Sequence, residues 1–161
     1  MPFQYNITVH TSNREGAGTD EDVYIQLIGL HGRDGDFFLD HEGYNDFERG
    51  DVDTYIIEAK DFLGPIEEIF LYVERGGSED APAWHVDYIE VSANISGENR
   101  TWKFPIYSWI GIQGRDAEGK SLKNHIFVNY EGITNQHSSD VTPRSETALP
   151  KKRHKYDTRT D

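Results

Sequence analysis

The chain has 161 residues, a formal net charge of −13 and no cysteine, with 35% hydrophobic and 28% charged residues. That length fits one domain able to bury a core. The missing cysteines exclude disulfides, iron–sulfur clusters, thiol nucleophiles and zinc–thiolate sites, and an acidic body repels nucleic-acid backbones, so no nucleic acid is expected as partner.

In chain order, the opening MPFQYNITVH lacks the basic and apolar regions of a signal peptide. Tyr5, Ile7 and Val9 share one face against Asn6, Thr8 and His10. That period of two predicts a half-buried strand. The turn cluster NREGAG follows, overlapping EGAGTDED. There Gly16 and Gly18 allow close backbone approach, and Thr19, Asp20 and Asp22 add oxygens. Such an octet reads either as a hairpin turn with solvated acids or as half of a calcium site, since calcium takes six to eight oxygens in loose geometry. Val23, Ile25 and Leu27 form the next alternating run, and GRDGD at 32–36 reads as a turn. It resembles half an EF-hand loop but lacks the flanking helices and the final glutamate.

LDHEGYNDFERGDVDTYII, residues 39–57, crowds Asp40, Glu42, Asn45, Asp46 and Glu48 into a bend and then begins to alternate. A neutral carbonyl beside two carboxylates suits a hard cation better than a general acid–base pair. The competing reading is a solvated bend with an Arg49 ion pair, worth about 0–1 kcal/mol. Ile69, Leu71 and Val73 alternate next, then the turn cluster GGSED, then Trp84 and Val86 in one phase with Ile89 and Val91 in the other. A bulge near Asp87 explains that switch. Trp102, Phe104 and Ile106 follow, and Ile126, Val128 and Tyr130 offer one more strand. Residues 1–132 carry 25 acids and 10 bases, whereas residues 133–161 carry 4 and 6 and are poor in large apolar side chains. The latter read as a disordered tail or linker. The histidines show no metal-binding spacing, and no G-x-S-x-G elbow occurs. No apolar run approaches the roughly 20 residues of a membrane-spanning helix.

The segments AGTDEDVYIQLIG (17–29), LDHEGYNDFERGDVDTYII (39–57), LGPIEEIFLYVE (63–74), WHVDYIEV (84–91) and FPIYSWI (104–110) together resemble the PLAT domain, also called LH2, in the version found at the N-terminus of animal lipoxygenases. The likeness covers roughly residues 3–112. It implies an antiparallel β-sandwich of two four-stranded sheets over residues 1–112, followed by an extension at 113–132 and a tail at 133–161. It also implies a calcium site with Gly18, Thr19 and Asp20 from one loop and Asn45, Asp46 and Glu48 from a second.

Three functions follow from the resemblance. One is a non-catalytic, calcium-dependent module for docking on a lipid surface. The others are a protein-interaction module, and the regulatory domain of a lipoxygenase whose catalytic domain this chain does not contain. Many members place an aspartate before the tryptophan matching Trp84; Ala83 stands there, and Glu79 or Asp80 is the candidate substitute. The loop tips hold Glu15 and Glu79 where relatives carry exposed tryptophans, which leaves Trp109 as the candidate membrane contact. The expected location is cytoplasmic, with peripheral contact to a membrane.

Overall fold

The computed structural model describes residues 1–40, 46–76, 83–115, 119–134 and the pair 155–156. Ten strands and no helix make up the described residues. In chain order they are β1 (Phe3–Thr11), β2 (Asp22–Gly29), β3 (Gly32–Leu39), β4 (Val52–Ala59), β5 (Ile66–Glu74), β6 (Trp84–Ile95), β7 (Glu98–Ile110), β8 (His125–Asn129), β9 (Gly132–Thr134) and β10 (Lys155–Tyr156). One sheet has the order β4-β1-β6-β7. The other has the order β10-β3-β2-β5-β8-β9. The second sheet thus has six strands where four are expected, and β8, one of its inner strands, comes from residues 113–132, which the sequence reading leaves outside the sandwich. Every pairing is antiparallel except that of β10 with β3.

The alternation does its work between the sheets. Tyr5, Ile7, Ile25, Ile69, Leu71 and Trp84, the expected core, are all fully buried. They join Val9, Val23, Leu27, Phe104 and Val128 in one apolar layer. Burial of each such side chain contributes about 1.5–3 kcal/mol relative to exposure. The anticipated bulge is present: β6 shifts register between Val86 and Tyr88 against both β1 and β7. The shift lets Trp84 and Val86 on one side of Asp87, and Ile89 and Val91 on the other, all reach the same core. Pro105 sits in β7, an edge strand of its sheet, where a missing N–H costs least. The β6–β7 hairpin closes through Ser96 and Gly97, with φ of 54° and 86°. Two positive φ values at the centre of a two-residue turn match the right-handed twist of the strands.

GRDGD is not a turn. It forms most of the first half of β3, whose register against β2 shifts between Ile25 and Leu27. The turn lies one step earlier, at Gly29–Gly32, and a bulge occupies the glycine and acid positions that imitate a turn in sequence. The strand anticipated from Ile126, Val128 and Tyr130 is β8, which ends at Asn129 and lies between β5 and β9. Ile133 and Thr134 at the start of the expected tail belong to β9, and Lys155–Tyr156 pair with Phe38–Leu39. The rest of the tail lies outside the described residues.

The Tyr5 hydroxyl ties the deep core to a loop: Leu63 N–H donates to it at 3.0 Å, and it donates to Gly64 O at 3.2 Å. Tyr5→Phe keeps the ring but strands a buried N–H and a buried carbonyl. We expect chemical denaturation to show a loss of about 1–3 kcal/mol, with the strand content unchanged by circular dichroism.

Candidate metal centre

Three chain segments are tied together at one end of the sandwich. The first is the loop between β1 and β2, the second is the described approach to β4, and the third is the start of β6. Ser12 N–H donates to His85 O, and His85 N–H donates to Ala17 O, each at 3.0 Å. Gly50 N–H donates to Ser12 O at 3.0 Å. Arg49 Nε donates to Asn13 O and Oδ1 at 3.2 Å each, so its described partners are neutral oxygens and not an acid. The closest approach is at Gly18. A Cβ there would lie 3.0 Å from Phe47 O, 3.1 Å from Arg49 N and 3.2 Å from the Glu48 Cα. All three are main-chain atoms, so glycine is what lets these two backbones touch. The next residue completes the seam: Thr19 N–H donates to Phe47 O at 3.0 Å.

Phe47 holds the second loop in place. Its φ of 61° lies in the left-handed region, at a cost of about 1–2 kcal/mol for an L-residue. Burial offsets that cost. The ring is 3% exposed and packs 5.1 Å from Trp84 and 5.7 Å from Tyr55, centroid to centroid. Two further acids brace the bend from below: Phe47 N–H donates to Asp53 Oδ2 and Glu48 N–H to Asp51 Oδ2, both at 3.1 Å. Asp51 and Asp53 therefore serve the loop's backbone, a role the sequence reading did not assign to them.

Beside this seam lies a cavity of about 150 Å³ whose wall includes Thr19, Asp20, Glu21, Asp22, Asp40 and Asp46, with no Lys or Arg. Thr19 and Asp46 are buried, and Asp20 is exposed at the rim. Burial pushes the half-buried Glu48 carboxyl above its ordinary value, and the charges of Asp20, Asp51 and Asp53 push it further. The buried Tyr55 hydroxyl is driven far up by desolvation first, then by Asp46 and Asp53. The field at this end of the molecule is strongly negative. Five of the residues expected from sequence, Gly18, Thr19, Asp20, Asp46 and Glu48, are gathered here; Asn45, Glu79 and Asp80 lie outside the described residues.

Glu21, Asp22 and Asp40 join the cavity although none is in the ligand set that the family resemblance implies. Glu21 is 4% exposed, and its Oε1 accepts from Gly76 N–H at 2.8 Å. Only its place in the TDED run hinted at it. Trp109 lies in β7 opposite His85, half-buried, with its ring edge-on to the imidazole at 4.9 Å.

An oxygen-only wall of mixed charge fits calcium, which accepts loose geometry, better than magnesium, which demands a tight octahedron. Among the described residues, however, no three His, Asp or Glu side chains stand close enough to grip an ion by themselves. A bound ion would draw on main-chain and hydroxyl oxygens as well.

The model of the PLAT/LH2 domain matches residues 5–123. This chain belongs to the PLAT/LH2 domain family. It is 36% identical over 108 residues to the allene oxide synthase–lipoxygenase protein of Plexaura homomalla, covering 66% of this chain and 10% of that protein. It is 32% identical over 108 residues to the polycystin family receptor for egg jelly of Mus musculus, covering 67% of this chain and 5% of the receptor. Among solved structures, coral 8R-lipoxygenase, described as calcium-activated through a C2-like domain, superposes with a TM-score of 0.63 at 30% identity, over 78% of this chain and 16% of that one. The PLAT chain thus spans a tenth or less of the two curated relatives and 16% of that solved chain. The 161 residues hold a PLAT domain and no lipoxygenase catalytic domain, and among the described residues no helix is long and apolar enough to cross a membrane.

The raised Glu48 carboxyl fixes a pH response. A carboxyl whose pKa is higher folded than unfolded binds its proton more readily in the folded state. Without a cation, stability therefore falls as pH rises from the ordinary value of 4.5 through the folded one. Glu48→Gln should melt at a higher temperature than the parent at neutral pH in chelator. The gap should close as pH drops below the ordinary carboxylate value, in thermal scans across that range.

Proposed function

We propose that this PLAT domain is a calcium-dependent module that docks on an anionic lipid surface and performs no catalysis itself. The observation that supports it is the seam at Gly18, where Thr19 meets Phe47 beside a cavity lined by Asp20 and Asp46, with Glu48 next to Phe47. Thr19, Asp20, Asp46 and Glu48 would hold the ion, with main-chain oxygens of Gly18 and the side chain of Asn45 as further donors. Calcium supplies positive charge. That charge converts the mutual repulsion of Asp20, Asp46 and Glu48 into attraction and reverses the local field facing anionic headgroups. Coral 8R-lipoxygenase, with its calcium activation through a C2-like domain, supports the reading by similarity. Ala83, in place of the aspartate that many members carry, points to a weaker site. Because Trp109 packs on His85, docking here rests on charge more than on aromatic insertion, which makes it sensitive to salt.

A second reading, docking on a protein, is favoured by the acidic rim itself, where exposed Glu15 and Asp20 offer no apolar anchor. A regulatory domain of a lipoxygenase would use the same surface within a longer chain.

Co-sedimentation with vesicles containing phosphatidylserine separates the first two readings. Lipid docking predicts pelleting in calcium, none in chelator, and loss in high salt. Saturation by calcium with no pelleting at any salt would favour the protein partner instead. Calcium bound to the folded state alone should also raise the melting temperature, by the equivalent of about 2.7 kcal/mol at a hundredfold excess over Kd. Asp46→Asn should blunt that rise, and Glu98→Gln, exposed at the start of β7, should leave it intact.

A further inference from the structure

The six-stranded sheet has two faces, and the apolar core occupies only one. On the other face, pointing away from the core, Tyr24, Phe38, Phe70, Tyr72 and Phe127 form a separate aromatic cluster. Tyr24 stacks on Phe38 and Tyr72 at 5.1 and 5.2 Å, and Phe70 meets Phe127 at 4.4 Å. An outer sheet face is normally the wet one. Yet Tyr24, Phe70 and Tyr72 are 0% exposed, Phe38 3% and Phe127 7%. Rings side by side in a sheet shield one another's edges and leave their tops open. Complete burial needs a further layer, and no described strand or helix lies over this face.

β9 ends at Thr134 on one edge of the sheet, and β10 begins at Lys155 on the opposite edge, beside β3. The 20 residues between them must pass from edge to edge. Five strand spacings amount to about 24 Å, and 20 residues reach about 66 Å when extended. The inner face is filled, so a path over a face has only the outer one available. Residues 135–154 also carry four bases and two acids, a charge that an acidic body attracts.

We propose that the outer aromatic face of the six-stranded sheet is a docking surface whose occupant is this chain's own segment 135–154, crossing from β9 to β10. The apolar side chains available to it are chiefly Val141 and Leu149.

Hydroxyl-radical footprinting of the full chain tests this, with Tyr5 and Tyr55 of the inner core as internal controls. In the parent, Tyr24 and Tyr72 should be as protected as those controls. In the double variant Val141→Asp/Leu149→Asp, labelling of Tyr24 and Tyr72 should rise several-fold while Tyr5 and Tyr55 stay protected. A protease site inserted after Asn135 gives a second measurement on the already folded chain. The cut fragment should stay with the body in low salt, and its release in high salt should expose the same two tyrosines. Unchanged labelling in the double variant, or a fragment that leaves without exposing Tyr24 and Tyr72, would overturn the proposal. So would protection that rises with protein concentration, which would assign the face to a second copy.

Discussion

The site depends on one contact between two main chains. Gly18 lies against Phe47, Glu48 and Arg49 closely enough that a single added carbon would press on backbone atoms at 3.0–3.2 Å and force them apart by a few tenths of an ångström. Without that approach, Thr19 could not donate to the Phe47 carbonyl, and the acids of the two loops would be separate, solvated bends of little consequence. The contact depends in turn on Phe47, whose unfavourable backbone angle is tolerated because its ring is packed against Trp84 and Tyr55 in the core. The sandwich thus imposes on its loops a proximity that the acidic side chains would resist. Strain and like-charge crowding accumulate at this end of the sandwich, and the apolar layer between the sheets offsets both.

The acids at this end divide into two groups. Asp51 and Asp53 accept hydrogen bonds from the amides of Glu48 and Phe47, and they would be needed whether or not an ion ever bound. Asp20, Asp40 and Asp46 line the cavity, and Glu48 feels the charge of Asp20, a crowding that a cation would relieve. Glu21 stands between the groups, with one oxygen committed to Gly76. A change in the first group should damage the fold of the loop, and a change in the second should damage its affinity for a cation.

Much of the fold was legible in sequence because strands on a two-sided sandwich must alternate. Even the bulge at Asp87 showed as a change of phase between Val86 and Ile89. GRDGD was misread because glycine and aspartate suit a bulge inside a strand as well as a turn between strands, and composition does not distinguish them. The close pairing of the TD and NDFE loops was legible only through family resemblance, since no local pattern reports that two loops share one end of a sandwich. The bracing roles of Asp51 and Asp53 depend on amide geometry that sequence spacing does not encode. The outer aromatic cluster was hidden for a different reason. Tyr24, Phe38, Phe70 and Tyr72 occupy the positions that period-two reasoning assigns to solvent, and only a second layer makes them buried.

The proposed calcium site would depend on the backbone seam, beyond the mere presence of acids. Gly18→Ala tests it most directly, because it leaves every ligand side chain in place and adds one methyl group into the seam. Titration calorimetry of calcium into the parent and the variant should show binding to the parent, and to the variant an affinity at least tenfold weaker, about 1.4 kcal/mol, with both chains equally folded by circular dichroism. Equal affinities, or no heat from either chain into the millimolar range where weak calcium sites still respond, would contradict it.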